Sequence, residues 1–552
     1  MAVTFHRSRF TRRTAIGLGA GAGTAAFLAA CGSREAKDSA AQTEFNQANV
    51  RETTEQPVPG GTINFSATDV PNYDYQVSFS VLQTLYANRL LRYKTGSTMG
   101  PNQYEIIPDL ALSYEAPDPR KVTVKLNQAA TFQDKAPVGA RALTSEDVKA
   151  TFELLNTNKP NYVYRYLVDF IETIETPAPD TVVFTLAYPT TLIYNALAYY
   201  NSAIAPKEII ARDGNLEKND QGTGPFTLER YERGSGYSFK KNPNYFRTGT
   251  PYVDGVELAV VNDASSRLDA YRAGRLDAMD LAVDQLPAVK RTLDEDSTLQ
   301  TQPGVGWSAF IFNILNPPYN DPRVRQAFSL ALDRAAINQL AGDSTATVRT
   351  GPIARGWPAW TRSDEEIAPE AAQDIAKAKQ LLTAAGYPNG FETEWIFGPY
   401  AGTVDTSTKI AQVAQEQLKA TGIQMKITMM ENLAWQRRLQ QQDFSLSTWL
   451  IRAYPDPDDY LYPFWVPGAA KNFGKVDDPA LTDLVLKQRQ TAEPETRKKL
   501  LQEIDRRWTQ DFNYGVWTIE YPFAHIYNNR LRNYSSRNPL DYAGMAEVFI
   551  KQ

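Results

Sequence analysis

The sequence DPRVRQAFSLA, at residues 321–331, has the pattern of an amphipathic helix with a marked beginning. Asp321 suits the N-cap position, because its side chain can accept a hydrogen bond from a free backbone N–H of the first turn. Pro322 suits the first helical position, where its missing N–H costs nothing. Apolar residues then follow at three- and four-residue spacing. The stretch therefore predicts a helix that begins at Pro322.

Further elements lie on both sides of this helix. Two apolar stripes, at residues 375–385 and 410–418, end at Gly386 and Gly422, as helices commonly do. Residues 423–429 then alternate in polarity, which predicts a strand. The remaining predicted elements are strands at 60–65, 122–126 and 182–186 and a capped helix that starts at Thr144. Helices and strands that interleave in this way predict an α/β fold.

The composition is that of an acidic globular protein long enough for two or three lobes. The chain has 552 residues, a formal net charge of -5 and no long basic run, which argues against nucleic acid as a partner. Cys31 is its single cysteine, so it forms no intramolecular disulfide. With only His6 and His525 as histidines and no G-x-S-x-G motif, a Cys/His zinc site, a Cys–His nucleophile pair and a serine-hydrolase elbow are all disfavoured. We therefore expect no metal, no cofactor and no enzymatic activity.

The N-terminus has the pattern of an export signal. Arg12 and Arg13 precede a mildly apolar segment at residues 15–30, which is too short and too rich in glycine for a membrane-spanning helix. The segment ends in Leu-Ala-Ala before Cys31, and this resembles the lipobox of bacterial lipoproteins. We predict a twin-arginine lipoprotein signal peptide at residues 1–30. Residues 31–58 are then a lipidated cysteine and a flexible tether that holds the exported protein on the membrane.

Eight stretches of the body occur together in an order that is typical of one protein family. They are PGGT at 59–62, IPDLA at 107–111, the segment at 132–148, GTGPF at 222–226, NPNYF at 242–246, YRAGRLD at 271–277, PPYNDPRVRQA at 317–327 and AGYP at 385–388. In these stretches the chain resembles the solute-binding proteins of the peptide/nickel (dipeptide- and oligopeptide-binding) ABC importer family. The resemblance runs from about residue 59 to the C-terminus.

The resemblance implies a two-lobed, periplasmic-binding-protein-like fold with a hinge and an inserted subdomain. The expected boundaries are 59–93, 222–305 and 521–552 for the first lobe, 94–221 for the inserted subdomain, and 306–520 for the second lobe. Such a receptor closes on its ligand, because contacts with both lobes shift the population toward the closed form. The expected partners are a peptide or small-molecule ligand and the permease subunits of the importer, and the receptor is expected to be a monomer.

The resemblance also implies which residues contact ligand. The second-lobe candidates are Trp435, Trp449, Arg452, Tyr454, Asp456 and Asp458. The candidates near the hinge are Trp307 and Tyr271, and those in the opening loop of the first lobe are Asp69, Tyr75 and Phe79. Two simpler interpretations remain open: Trp435 is equally well explained as a core residue, and residues 449–460 as a proline-punctuated acidic surface loop.

One departure from the family bears on the ligand. Peptide binders of the family carry Asp at the position of Ala453, where it pairs with the ligand's free ammonium group. Asp456 and Asp458 are candidates to replace that anion. Peptides are therefore the leading ligand class, and saccharides or other uncharged solutes, which stack on aromatic side chains, are the alternative. A ligand-sensing lipoprotein and a secreted hydrolase with paired carboxylates are the competing classes of function.

Overall fold

The computed structural model describes most of the chain beyond the predicted signal and tether. The described residues are 46–48, 55–67, 69, 72–77, 81–96, 104–159, 162–342, 344, 346–398, 404–451, 455–534 and 542–551, with the backbone alone for 46–48, 302–307, 404–405, 449–451 and 543. The predicted signal peptide and Cys31 lie outside these residues.

Strands and helices interleave along the chain. The strands are β1 (Asn46–Ala48), β2 (Thr62–Ala67), β3 (Leu91–Tyr93), β4 (Ile106–Pro108), β5 (Ala111–Asp118), β6 (Lys121–Leu126), β7 (Ile171–Ala178), β8 (Thr181–Leu186), β9 (Phe226–Glu232), β10 (Gly236–Lys241), β11 (Gly255–Val260), β12 (Ala278–Asp280), β13 (Ser297–Phe312), β14 (Thr347–Val348), β15 (Glu392–Phe397), β16 (Gln424–Met429), β17 (Leu446–Ile451), β18 (Gly515–Asn528), β19 (Leu531–Arg532) and β20 (Phe549–Ile550). The α-helices are α1 (Gln83–Tyr86), α2 (Ser145–Leu155), α3 (Leu192–Ala198), α4 (Lys207–Asp213), α5 (Ala264–Arg272), α6 (Leu286–Thr292), α7 (Pro322–Leu330), α8 (Arg334–Ala341), α9 (Asp364–Ala371), α10 (Ile375–Ala384), α11 (Val404–Lys419), α12 (Asn432–Gln440), α13 (Asp458–Trp465), α14 (Pro479–Arg489) and α15 (Pro494–Arg507).

The helix predicted at residues 321–331 begins where the sequence places it. Helix α7 starts at Pro322, and the Asp321 carboxylate accepts a hydrogen bond from the Arg323 backbone N–H at 2.8 Å. Helix α2 starts directly after Thr144, whose backbone N–H donates to the Asp147 carboxylate at 2.9 Å. These caps satisfy backbone groups that have no partner within the helix, and they fix where each helix begins.

A large mixed sheet forms the frame of the molecule. Its strand order is β16-β15-β17-β13-β18-β12-β2-β11-β10-β9, with β1 paired to β13 and β14 paired to β18. Strands β2, β11 and β12 run parallel to one another at one end, and β15, β16 and β17 run parallel at the other. Each end is flanked by its own hydrophobic cluster, so the sheet has two halves that belong to two lobes.

Strands β13 and β18 connect the two halves. They pair antiparallel over nearly their whole length, and the register shifts between Gln302 and Gly306. On one side of this shift β18 pairs with β12, and on the other side β13 pairs with β17. This crossing is the expected position of a hinge.

A second sheet lies within the residues predicted as the inserted subdomain. Its order is β5-β6-β8-β7, and all its pairs are antiparallel. Val122, Val124 and Leu126 of β6 are buried on one face, in keeping with the two-residue alternation of the sequence. One continuous hydrophobic cluster includes this sheet together with second-lobe side chains such as Trp465 and Trp517. The subdomain therefore shares a core with the second lobe.

The predicted tether contains a short paired segment. Asn46, Gln47 and Ala48 of β1 pair antiparallel with residues 299–301 of β13. Glu55 then forms an ion pair with Arg532 at 2.8 Å. These parts of residues 31–58 lie against the body. Among the described residues, no helix is both long and apolar enough to span a bilayer.

Candidate functional site

The carboxyl ends of the parallel first-lobe strands lie beside the hinge strands. Strand β2 ends at Ala67 and β12 ends at Asp280, and Ala278 pairs in parallel register with Phe65. In open α/β sheets, ligands bind at the carboxyl ends of parallel strands. The ligand cleft is therefore expected beside this edge, between the two halves of the sheet.

The predicted first-lobe residues have protein partners. The Asp69 carboxylate accepts hydrogen bonds from the Tyr231 hydroxyl at 2.7 Å and from the Gly234 backbone N–H at 2.9 Å. Tyr75 is fully buried, and its hydroxyl donates to the Ala203 carbonyl at 2.6 Å. Asp69 therefore holds the β9–β10 hairpin, and Tyr75 anchors the opening loop to the subdomain. Phe79 lies outside the described residues.

Tyr271 and Trp435 lie in hydrophobic clusters. The Tyr271 hydroxyl, on helix α5, donates to Ser297 at 2.8 Å. Trp435, on helix α12, is fully buried in the second-lobe core, and its indole N–H donates to the Ser447 hydroxyl at 2.9 Å. The core interpretation of Trp435, which the sequence left open, thus describes its packing. Ligand contact at either residue stays a prediction.

The remaining candidates lie near the hinge or outside the described residues. The Trp307 backbone pairs with Ile451 on one side and Glu520 on the other. Trp449, two residues before Ile451, pairs with Ala309. Both tryptophans thus lie on strands that meet near the hinge, and their side chains are not described. Arg452, Ala453 and Tyr454 lie outside the described residues.

Asp456 forms a buried ion pair with Arg497. Arg497 Nη1 donates to Asp456 Oδ2 at 2.8 Å, and both side chains are only 6% exposed. The other carboxylate oxygen accepts the Asp458 backbone N–H at 2.8 Å. A role for Asp456 as the ammonium partner of a ligand stays a prediction, and it would require breaking a buried pair.

Asp458 pairs with Arg489, the arginine that joins the second lobe to the subdomain. Its Oδ1 accepts a hydrogen bond from Gln488 at 2.6 Å, and its Oδ2 lies 3.3 Å from Arg489 Nε. Arg489 Nη2 lies 2.9 Å from Asp169 Oδ1, and the same nitrogen donates to the Tyr166 carbonyl. Burial raises the pKa of Asp458, and the nearby Arg489 opposes that rise. Arg489 is thus the cation between one second-lobe and one subdomain carboxylate.

A third carboxylate, Asp459, has a lysine in its surroundings. Burial, and then the neighbouring Asp456 and Asp458, raise the pKa of Asp459 well above its usual range. Burial also lowers the pKa of Lys471 to about 8, against the opposing effect of Asp459. The Lys471 ammonium lies 4.8 Å from the Tyr164 ring centre, within cation–π range. The acidic run that the sequence suggested as a surface loop is therefore a buried ionic network.

This network was missed by reasoning from the sequence. Its arginines follow the acidic run by thirty residues or more, on helices α14 and α15, and nothing local marks them as partners. One signal was available in the sequence. Gln488 and Arg489 of α14, and Arg497 of α15, lie at three- and four-residue spacing from apolar residues, which indicates the buried face of each helix. In the described part of the chain, no cluster of three or more His, Cys, Asp or Glu side chains could hold a metal.

Comparison with known proteins identifies the family. Residues 105–472, more than half of the chain, match the sequence model described as "Bacterial extracellular solute-binding proteins, family 5 Middle". The chain belongs to this family. Its members bind solutes outside the cytoplasm, and the predicted recognition is confirmed.

Relatives in the family bind different ligands. The glutathione-binding protein GsiB of Salmonella typhi is 28% identical over 319 residues, which cover 56% of this chain and 58% of the relative. The heme-binding protein A of Haemophilus influenzae is 27% identical over 459 residues, or 79% of this chain and 81% of the relative. The chain therefore spans somewhat more than half the length of the glutathione-binding relatives it matches.

A solved structure confirms the fold. The periplasmic binding protein DppA of Helicobacter pylori, in complex with the peptide STSA, superposes with a TM-score of 0.78. It covers 90% of this chain and 99% of its own length at 21% identity. The two-lobed α/β fold predicted from the sequence is thus the fold of the protein.

Proposed function

We propose that this chain is the substrate-binding lipoprotein of an ABC importer. It captures a solute between its two lobes and delivers the solute to a membrane permease. The observation that carries this proposal is the family match over residues 105–472, on a frame whose halves are joined by β13 and β18. A ligand that contacts both halves favours the closed form, and closure presents both lobe surfaces to the permease together.

The proposed ligand is a peptide. A peptide backbone can form strand-like hydrogen bonds with the lobes, and these depend little on side-chain identity. The peptide-bound structural neighbour and a glutathione-binding relative support this class. In this proposed role the protein acts as a monomer without metal or cofactor, and it does not catalyse a reaction.

The amino end of the peptide is proposed to contribute little affinity. Ala453 stands where peptide binders of the family carry an anion, and Asp456 and Asp458 are paired with Arg497 and Arg489. An ammonium group buried opposite Ala453 would lose its hydration without gaining a partner. The same observation makes an uncharged solute, such as a saccharide, the second candidate.

Calorimetry on the purified protein tests this ligand class. We expect trialanine and N-acetyl-trialanine to bind with affinities that differ by less than about tenfold. In Ala453→Asp, a preference for the free amino end should appear, because a charge-assisted hydrogen bond contributes about 1.5–3 kcal/mol. A loss of a hundredfold on acetylation of the wild-type ligand, about 2.7 kcal/mol, would contradict the proposal. Binding of saccharides without peptides would move the second candidate to first place.

A further inference from the structure

In the part of the chain that the structure describes, the first lobe holds a carboxylate that its neighbours orient and that no lysine or arginine pairs with. Asp280, the last residue of β12, pairs in register with His525 of β18. Its Oδ1 lies 2.7 Å from His525 Nδ1, and His525 Nε2 lies 2.9 Å from the Tyr534 hydroxyl. In a neutral imidazole, Nδ1–H donates to the carboxylate and Nε2 accepts the tyrosine proton, so all three groups have matched roles.

Burial differs sharply between the two ends of this chain of hydrogen bonds. The His525 side chain is only 5% exposed, whereas that of Asp280 is 41% exposed. Tyr534 packs against Phe65 with ring centres 5.7 Å apart and against Tyr527 at 5.0 Å. The supporting side chains are thus fixed by packing, and the carboxylate at their end is accessible.

Among the described residues, no lysine or arginine forms an ion pair with Asp280. The contrast within the same strand region is Asp277, which is buried, pairs with Arg530 and accepts the Asn64 backbone N–H at 2.8 Å. Asp277 therefore completes its contacts within the protein. Asp280 uses Oδ1 on His525, and no described residue donates a hydrogen bond to its Oδ2.

Asp280 also lies where a ligand is expected. It ends β12 at the carboxyl edge of the parallel strands, level with the end of β2, and it lies beside the hinge strand β18. This edge borders the expected space between the lobes, which is where this fold type binds ligands. An oriented anion that has no lysine or arginine partner among the described residues favours a cation with N–H donors.

We infer that Asp280 binds a cationic side group of the ligand, an ammonium or guanidinium carried by the peptide's side chain. The inference rests on the proposed capture of peptides and deepens it, because it moves charge recognition from the second lobe to the first. His525 and Tyr534 are positioning residues, which hold the carboxylate oxygen in place before the ligand arrives.

Matched peptides test this inference on the purified full-length protein. Three N-acetylated tripeptides carry Arg at the first, second or third position between alanines, and each is compared with its citrulline counterpart, which has the same shape without the charge. We expect the Arg form to bind about tenfold to a hundredfold more tightly at one position at least. Asp280→Asn should remove that preference and leave the affinity for the citrulline form within about twofold.

A second variant controls for the change of charge, and a stability measurement controls for misfolding. Asp284→Asn changes the charge identically at an exposed residue four positions away, and it should retain the preference. Thermal unfolding checks that Asp280→Asn is folded, and the asparagine oxygen can still accept the His525 proton. An equal affinity for Arg and citrulline forms at all three positions, or a preference that survives Asp280→Asn, overturns the inference and leaves peptide capture standing. If no acetylated or free peptide binds, peptide capture fails and the inference fails with it.

Discussion

Lys471 is a buried cation whose free energy depends on its protonation state. It is only 7% exposed and lies among Tyr164, Tyr166 and Phe464, with Asp459 as a neighbouring carboxyl group. Burial disfavours its charged form, and this is why its pKa falls to about 8 from the usual 10.5. The folded protein therefore releases this proton at a lower pH than the unfolded chain does.

The expected result is a gain of stability with rising pH. Between about pH 8 and 10.5 the unfolded chain holds the lysine proton and the folded protein does not, so the free energy of unfolding rises. The slope from one proton reaches about 1.4 kcal/mol per pH unit. Urea unfolding from pH 7.5 to 9.5 should show a smaller slope in Lys471→Met than in wild type. Lys475→Met, at an exposed position, should keep the wild-type slope, and equal slopes in all three proteins would contradict this origin.

At single residues, the sequence predicts local contacts but not contacts between distant segments. The cap at Asp321 is local, so its hydrogen bond to Arg323 could be predicted from neighbouring residues. The pairing of Asp456 with Arg497 spans 41 residues and depends on how two helices pack, which local patterns do not encode. The burial of Trp435 has the same origin, since an aromatic side chain on an amphipathic helix suits a core or a cleft equally well.

At the scale of elements, hydrophobic periodicity and capping residues correctly predicted the positions of several helices and strands. Strands β6, β8 and β16 and helices α2 and α7 lie where alternation and caps placed them. Strand β1 was not predicted, because residues 46–48 have no strand pattern and their pairing depends on a free edge of β13 about 250 residues away. An edge strand of this kind is recruited by its partner's unpaired backbone groups.

The N-terminal segment is predicted to act in two separable steps. Arg12→Lys together with Arg13→Lys should stop export, because the paired arginines are the proposed export signal. Cys31→Ala should instead permit export and release the protein from the membrane, because the lipid is then missing. Cell fractionation and immunoblotting measure both outcomes. Arg7→Lys with Arg9→Lys, outside the pair, should behave as wild type, and membrane-bound protein in every variant would exclude a lipoprotein anchor at Cys31.

At the scale of the whole molecule, the subdomain, although predicted as an insertion in the first lobe, also packs against the second lobe. It shares a hydrophobic cluster with the second lobe, and Thr190 donates to the Arg489 carbonyl at 2.8 Å across that boundary. The family resemblance could predict that a subdomain is inserted. It could not predict this shared core, because the contacts lie between segments about 300 residues apart. Removal of the subdomain would therefore expose second-lobe core.

Arg489 crosses this boundary with several buried contacts. It is fully buried, its guanidinium lies 3.7 Å from the Tyr462 ring centre, and it compensates both Asp458 and Asp169. We expect Arg489→Gln to lower the free energy of unfolding by about 3–5 kcal/mol, because two carboxylates then lose their buried cation. Denaturant unfolding followed by tryptophan fluorescence measures the loss. Arg507→Gln, which breaks an exposed pair with Asp511, should cost less than about 0.5 kcal/mol.

The same variant should respond to pH in a particular direction. Burial already raises the pKa of Asp458, and removal of Arg489 removes the charge that opposes this rise. As pH falls from 7 to 5, Asp458 in Arg489→Gln should take up a proton and become neutral, which a buried site tolerates far better than an unpaired anion. The stability deficit of Arg489→Gln relative to wild type should therefore shrink at pH 5. A deficit that is constant with pH would show that lost packing on Tyr462, and not the unpaired charge, is what the substitution costs.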